Sequence, residues 1–231
     1  MGVALTELLL IKEIDLEFLK NKTLIVDSHM WLYQFLSSIR QRDGSLLTDS
    51  KGKITSHLMG LMSRISNLAQ QNIKLAFVFD GEPPKLKRLT LEKRKEIKLE
   101  AEKKFEKAKE KADEELMKKY AARTSRLTDE MIEEAQKLVE AFGLPVIEAT
   151  SEAEAQASLV VKNGDAYAIA TNDADALLFE ATRIARNVNM AGKKKKMNKL
   201  SFETVNPDLI VLEDNLRHLG ISQEQLVALA M

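Results

Sequence analysis

With 231 residues, 45% hydrophobic and 30% charged, and with equal numbers of acidic and basic side chains, the chain is long enough to bury one substantial core. It has no cysteine, which excludes disulfides and thiolate metal sites, and His29, His57 and His218 lack the spacing of a zinc site. No apolar run near the start could cross a bilayer, so we expect an intracellular protein with no membrane contact.

The first third of the chain contains two short apolar runs of similar design. Residues 23–27 (TLIVD) and 75–80 (LAFVFD) are rich in β-branched and aromatic residues, and they end on Asp27 and Asp80. Helical patterns cover residues 30–42 and 54–71 between them. This alternation of strand and helix predicts a parallel sheet covered on both faces.

The next segment, residues 85–120, is charged nearly throughout and has no continuous apolar stripe. From Lys85 to Arg126 there are 16 basic and 9 acidic residues, a local excess of +7, and residues 193–196 form a second basic run. Two interpretations stay open: a solvated helix with ion pairs along its surface, or an arm that handles nucleic acid.

The second half of the chain repeats the alternation. Residues 145–148 and 166–173 are candidate strands, a helix is predicted over 151–163, and residues 183–188 are a candidate fifth strand. The predicted fold class is therefore α/β, with a mostly parallel sheet.

Several acidic residues follow these predicted strands. Ligands of parallel sheets bind at the carboxyl ends of the strands, where Asp27, Asp80 and Asp173 are expected to meet. Glu152 and Glu154 open the following helix, and Asp175 lies two residues after Asp173. Each acid also has an ordinary explanation: Ser151 and Glu154 match a capping box, and Asp173 or Asn172 could cap the next helix.

Together, six carboxylates in one region predict divalent cations, because like charges this close cannot all stay ionised without counter-charge. Oxygen donors without sulfur or histidine select magnesium, manganese or calcium. Two such ions ~4 Å apart are the usual arrangement for in-line displacement at phosphorus, so phosphodiester hydrolysis is the leading chemistry. A magnesium phosphatase with Asp27 as nucleophile is the weaker alternative, since His29 stands where such enzymes favour a second aspartate.

Five segments strongly resemble archaeal and eukaryotic flap endonucleases, in order along nearly the whole chain. They are residues 26–36 (VDSHMWLYQFL), 54–61 (ITSHLMGL), 78–85 (VFDGEPPK), 149–156 (ATSEAEAQ) and 171–179 (TNDADALLF). The resemblance implies a PIN-like 5′-nuclease fold, a twisted and mostly parallel sheet with helices on both faces and a protruding basic helical arch. It implies one nuclease domain over residues 1–231, with an amino-terminal part (1–84), a gateway and cap arch (85–127) and an internal part (128–231).

The same resemblance implies the function and the partners. The expected activity is that of a structure-specific 5′ flap endonuclease and 5′–3′ exonuclease in replication and repair. The expected substrate is DNA with a 5′ flap or a nicked or branched end. An archaeal member would be cytoplasmic and a eukaryotic one nuclear.

Residue roles also follow from the resemblance, with two Mg²⁺ ions as cofactor and Mn²⁺ as a plausible substitute. Lys87 and Arg94, which steer the scissile phosphate, are expected to be catalytic together with Asp27 and Asp80. The implied ligands of one metal are Asp27, Asp80, Glu152 and Glu154, and those of the second are Asp173 and Asp175, with Glu154 between the two. The implied DNA contacts are Gly2, Tyr33, Arg40, Arg64, Lys87, Arg94 and Glu152, with a base stacking on Tyr33.

The sequence departs from the family pattern at its end. It stops at Met231, where the family continues into a segment with a further metal-ligand aspartate, a duplex-gripping hairpin and a tail that docks on the sliding clamp. Clamp binding is therefore expected only of the full-length family member. The alternative function is a catalytically impaired DNA-binding fragment that needs a missing carboxyl-terminal segment, and metal-dependent turnover separates the two.

Overall fold

The computed structural model describes residues 5–41, 43–84, 87, 96–97, 99–100, 126–188, 192–195 and 202–230. The chain divides into two compact units, which are described separately. The first consists of Met1–Ser28, Ser66–Gly81 and Pro145–Met231, and the second of His29–Ile65 and Glu82–Leu144. Gly2, Arg94 and most of the predicted arch lie outside the described residues. The predicted single domain with three parts stays a prediction.

The first unit is built on a seven-stranded sheet in the order β1-β9-β6-β5-β2-β3-β4. The five neighbours from β6 to β4 are parallel, while β9 is antiparallel to both β6 and β1, which confirms the predicted mostly parallel sheet. Strands β7 and β8 form a separate antiparallel pair. The strands are β1 (Lys12–Glu13), β2 (Thr23–Asp27), β3 (Lys74–Phe79), β4 (Val146–Glu148), β5 (Ala168–Ala170), β6 (Arg183–Arg186), β7 (Gly192–Lys195), β8 (Phe202–Val205) and β9 (Asp208–Val211).

The central strands are apolar on both faces. Leu24, Ile25 and Val26 of β2 are fully buried, and so are Phe77 and Val78 of β3. A central parallel strand has no solvent-facing side, so its sequence is a continuous apolar run instead of an alternating one. This explains why these two strands could be found from the sequence.

Six α-helices lie within the described residues. Among them α4 packs against β2, β3 and β5 and buries Ala153, Ala157 and Val161, whose small or branched side chains allow a close approach to the sheet. No helix in the described part of the chain is long and apolar enough to span a bilayer. The helices are α1 (Ser28–Ser38), α2 (Ser56–Gln70), α3 (Asp129–Ala141), α4 (Ala153–Lys162), α5 (Leu212–Leu219) and α6 (Gln223–Ala230), and short 3₁₀ turns cover Leu5–Glu7, Glu17–Leu19 and Ala174–Leu177.

The second unit contains most of α1 and α2 together with α3. Gly60 of α2 lies against Phe35 of α1, since a Cβ at Gly60 would lie 2.4 Å from the Phe35 Cγ. Phe35 also packs edge-to-face on the buried Trp31, with ring centroids 6.2 Å apart. The Thr128 side chain caps α3 by accepting from the Met131 N–H.

Two strand predictions were wrong in extent. The strand predicted over residues 166–173 covers only Ala168–Ala170, and the one predicted over 183–188 ends at Arg186. In the first case the Thr171 hydroxyl accepts the N–H of Asp173, and such local side-chain bonds end a strand. Strands β1, β7, β8 and β9 had not been predicted from the sequence.

Candidate active site

Four neighbouring parallel strands each place an acidic residue at one edge of the sheet. Asp27 is the last residue of β2, Asp80 follows β3, Glu152 follows β4, and Asp173 follows β5. These strands are adjacent in the order β5-β2-β3-β4 and run in the same direction, so their carboxyl ends form one edge. The predicted convergence of these acids at one sheet edge therefore agrees with the topology.

The strand register places Asp80 and Asp173 at matching levels, on either side of Asp27. Asp27 is paired with Val78 on β3, and Val26 is paired with Ala170 on β5. Asp80 and Asp173 therefore each lie two residues beyond the level of Asp27, in the segments that follow the strands on either side. Two residues correspond to about 7 Å along a strand, and neighbouring strands lie about 4.8 Å apart.

The chain leaving β3 touches the chain leaving β4 at Gly81. Its N–H donates to the Ser151 carbonyl at 2.6 Å. A Cβ at this position would lie 2.0 Å from the Ala149 carbonyl oxygen, so only glycine permits the contact without a backbone shift. The contact brings Asp80 beside the segment that carries Glu152. Gly81 had no predicted role, although a glycine directly after a strand-end aspartate was a usable signal.

Asp80 also binds the start of α4 directly. Its Oδ1 accepts the main-chain N–H of Ala153, the first residue of α4, at 2.7 Å. The N-cap residue is Glu152, whose side chain makes no capping bond, so the predicted capping box of Ser151 and Glu154 is wrong. The helix begins too late for Ser151 to cap it, and a carboxylate from a neighbouring strand satisfies one of its free N–H groups.

A buried serine connects two parts of this edge of the sheet, which we call the acidic edge: the helix that carries Glu154 and the turn that carries Asp175. Ser158 of α4 is fully buried, and its Oγ lies 2.7 Å from the Glu154 carbonyl oxygen and 3.2 Å from that of Ala176. Ala176 belongs to the 3₁₀ turn that carries Asp175. Ser158 therefore holds the element with Glu154 next to the element with Asp175, a link that the sequence did not indicate.

The turn after β5 is capped by the first of its two acids. Asp173 Oδ1 accepts the N–H of Asp175 at 3.0 Å, so of the two capping residues considered from the sequence, Asp173 and Asn172, it is Asp173 that caps the turn. Both side chains are exposed at the surface, whereas Thr171 is buried beneath them. The turn thus presents two carboxylates two residues apart.

The donor chemistry of this edge suits a hard divalent cation. The acids placed there are Asp27, Asp80, Glu152, Glu154, Asp173 and Asp175, which supply only carboxylate oxygens. Within the described ranges, no three His, Asp or Glu side chains are grouped closely enough to be a ready-made metal site. Like charges repel, so carboxylates without a cation are expected to stay apart. Their assignment as ligands remains a prediction.

The other predicted contact residues of the described chain belong to the second unit. Tyr33 on α1 is 39% exposed, and the main-chain N–H of Lys87 donates to the Pro84 carbonyl. Arg40 donates from Nη1 to the Gly44 carbonyl at 2.8 Å. Burial lowers the pKa of Arg40 and that of Arg64, which lies on α2. Their roles at DNA stay predictions.

Comparison with known proteins identifies the family. The model described as the XPG N-terminal domain matches residues 2–101, and that of the XPG I-region matches residues 143–231. Flap endonuclease 1 of Hyperthermus butylicus is 47% identical over 234 residues, covering all of this chain and 67% of that protein. The chain belongs to the flap endonuclease family.

Solved structures of proteins from this nuclease family have a similar fold. The flap endonuclease-1 structure from Methanococcus jannaschii covers 99% of the chain with a TM-score of 0.72 and 41% identity, and the chain covers 69% of it. The catalytic core of Rad2 in complex with DNA substrate covers 94% with a TM-score of 0.65 and 29% identity, and the chain covers 55% of it. These matches confirm the predicted family and its 5′-nuclease fold.

Proposed function

We propose that the chain is a structure-specific 5′ nuclease, which hydrolyses DNA phosphodiesters beside a 5′ flap with two divalent metal ions at the acidic edge. The proposal depends on one observation: four adjacent parallel strands place Asp27, Asp80, Glu152 and Asp173 at the same edge of the sheet. Membership of the flap endonuclease family supports the substrate class. The Rad2 core, similar in sequence and fold, was solved with a DNA substrate, which supports DNA as the partner.

The proposed metal ligands fall into two groups. Asp27, Asp80, Glu152 and Glu154 would hold one Mg²⁺, and Asp173 and Asp175 the second, with Glu154 between them. When bound, the ions supply Lewis acidity, which lowers the pKa of a bound water and stabilises negative charge on the phosphate. Mn²⁺ is the expected substitute because it accepts the same oxygen donors.

The protein's own contribution is to hold Asp80, and the segments that carry Glu154 and Asp175, in place before metal binds. Asp80 is held by the Ala153 N–H, and Ser158 ties the helix that carries Glu154 to the turn that carries Asp175. Fixed ligands reduce the reorganisation that metal and substrate binding require. The main chain around Gly81 and Ser151 adds rigidity at the same edge.

Residues of the second unit are proposed to bind the DNA. Lys87 and Arg94 are the proposed cations at the scissile phosphate, and Arg40 and Arg64 the proposed contacts to the DNA backbone. The exposed ring of Tyr33 offers a surface on which a nucleotide base can stack. The proposals for Arg94 and Gly2 rest on the resemblance alone.

Cleavage of an end-labelled 5′-flap duplex tests the proposal. The chain is compared in Mg²⁺, Mn²⁺ and EDTA with its Asp80→Ala and Asp173→Ala variants. Asp165→Ala is the matched control, since this exposed aspartate precedes β5 and lies toward the amino ends of the strands. We expect metal-dependent cutting near the junction, a loss of about 100-fold or more in both site variants because each removes a proposed metal ligand, and no loss in the control.

Two results would contradict the proposal. Cutting that persists in EDTA, or that survives both substitutions, would exclude the acidic edge as the catalytic centre. Flap binding without any cutting by the intact chain would instead support the alternative of a DNA-binding module.

A further inference from the structure

We infer that Asn172 and Asn187 are positioning residues for the Asp173 and Asp175 pair, and that they set the affinity of this part of the edge for a divalent cation. The inference rests on the proposed function. Neither asparagine is among the predicted ligands, and the role assigned to them depends on a hydrogen-bonded path between strands that are distant in sequence.

The path begins at the turn that carries the two acids. Asn172 lies between the end of β5 and Asp173, and its Oδ1 accepts the main-chain N–H of Asn187 at 2.7 Å. Asn187 follows the last residue of β6, the strand next to β5. The Asn172 side chain therefore ties the turn to the end of the neighbouring strand.

Asn187 is in turn fixed to the next strand. Its Nδ2 donates to Asp208 Oδ2 at 2.9 Å, and Asp208 is the first residue of β9. A hydrogen bond to a charged carboxylate is stronger than one between neutral groups. The turn with Asp173 and Asp175 is thus connected through two side chains to strands β6 and β9.

The backbone conformation at position 187 explains why this residue is asparagine. Its φ is 59°, in the left-handed region, which asparagine adopts more readily than most residues other than glycine. This conformation ends β6 while the N–H still donates to Asn172 and the side chain still reaches Asp208. Glycine would keep the backbone but lose the side-chain bond, which gives a selective test.

The turn needs such support because both of its acids are exposed. Its local bonds are the 3.2 Å contact from Asp173 N to Thr171 Oγ1 and the 3.0 Å cap of Asp175 N by Asp173. Both are contained within five consecutive residues, so they shape the turn without anchoring it. Ser158 and Gln223 hold the far end of the turn through the carbonyls of Ala176 and Leu177, and Asn172 anchors its near end, beside Asp173, to β6. Groups that orient metal ligands commonly change metal affinity by about 10- to 100-fold.

Mn²⁺ binding, measured from the electron paramagnetic resonance signal of the free ion, tests this role in the intact chain. Asn172→Leu removes the acceptor at similar size, and Asn187→Gly removes only the bond to Asp208. Asn72→Gly is the control, because Asn72 has a φ of 57° just before β3, away from the acidic edge. Asp173→Ala reports the loss of a proposed ligand. Unfolding by urea in EDTA measures the metal-free stability of each variant.

We expect Asn172→Leu to weaken Mn²⁺ binding about 10-fold and Asn187→Gly about 3-fold, with no change in Asn72→Gly. The Mg²⁺ concentration for half-maximal flap cleavage should rise in the same order, and saturating Mg²⁺ should restore the rate. A purely structural role would lower stability in EDTA without this rescue. If Asn172→Leu fails to fold, Asn187→Gly carries the test.

The outcomes separate the two proposals. Wild-type Mn²⁺ affinity in the folded asparagine variants would overturn the positioning role and leave the proposed nuclease intact. An unmodified chain that binds Mn²⁺ no better than Asp173→Ala would overturn both.

Discussion

Ala153 donates its main-chain N–H to Asp80 Oδ1 at 2.7 Å, so a carboxylate at the end of β3 caps the helix that follows β4. One residue thereby has two roles. Its oxygen satisfies a helix N–H, and its charge belongs to the proposed metal site. The two roles can be separated by substitution.

Asp80→Asn should keep the fold and lose cleavage. The amide oxygen can still accept the Ala153 N–H, whereas removal of the charge weakens the proposed metal site, so we expect cutting to fall by about 100-fold or more. Asp80→Ala should also lose about 1 kcal/mol of unfolding free energy, because the helix loses its cap. Urea unfolding in EDTA and flap cleavage in Mg²⁺ measure the two effects. Near-wild-type cutting by Asp80→Asn would contradict a role for its charge.

Gly81→Ala should destabilise the first unit by about 3 kcal/mol, since its Cβ would lie 2.0 Å from the Ala149 carbonyl oxygen and the backbone would have to move. Gly143→Ala is the control: its φ is +70° and no atom lies within 4 Å, so only about 1 kcal/mol of backbone strain is expected. The displaced backbone should also weaken Mn²⁺ binding in the Gly81 variant alone. Equal stability losses in both variants would argue against the close contact.

His57 should make the protein less stable in mild acid. It is fully buried, and burial lowers the pKa of its imidazole, while Glu134, 3.3 Å from Nε2, acts in the opposite direction and Lys53 in the same one. As the pH falls below about 6.5, the unfolded chain takes up the proton first, so the unfolding free energy decreases. The contribution is present above that pH and is lost as the pH falls through the folded-state pKa.

Urea unfolding at pH 7.5, 6.5 and 5.5 measures this dependence. We expect a slope of up to about 1.4 kcal/mol per pH unit from this one group, and a flatter profile in His57→Gln. His218→Gln is the control, because His218 is exposed on α5. The salt-bridged Glu130, whose pKa is lowered mainly by its hydrogen bond to Lys53, acts in the same direction but only below about pH 4.5, outside this range. An unchanged slope in His57→Gln would refute the assignment.

Asn215→Ala should cost about 2 kcal/mol of unfolding free energy. This side chain is 1% exposed; it accepts the Leu10 N–H at 2.6 Å and donates to the Val211 carbonyl at 2.8 Å. Its removal leaves partly buried backbone groups without their partner. Arg217→Ala on the same helix should change stability by less than about 0.5 kcal/mol, because its ion pair with Glu213 is exposed. Thermal and urea unfolding compare the two.

Much of the acidic edge could be predicted from the sequence. Buried parallel strands are continuous apolar runs, so β2 and β3 stood out, and the aspartates at their ends followed from the general rule that ligands bind at the carboxyl ends of such strands. The capping role of Asp173 was also predictable, since its partner Asp175 is only two residues away.

The strand order, and the contacts that depend on it, were decided by the tertiary structure. The sequence offered a capping box of Ser151 and Glu154 as one explanation of the residues after β4, but Asp80, 73 residues before Ala153, caps the helix. The Gly81 contact and the path from Asn172 through Asn187 to Asp208 likewise join segments brought together only by the sheet. Hydrophobic periodicity and capping patterns act between near neighbours, and they determined the elements and the kind of chemistry. The partners of Asp80, Gly81 and Asn172 depend on which strands lie side by side, and that is settled by packing of the whole core.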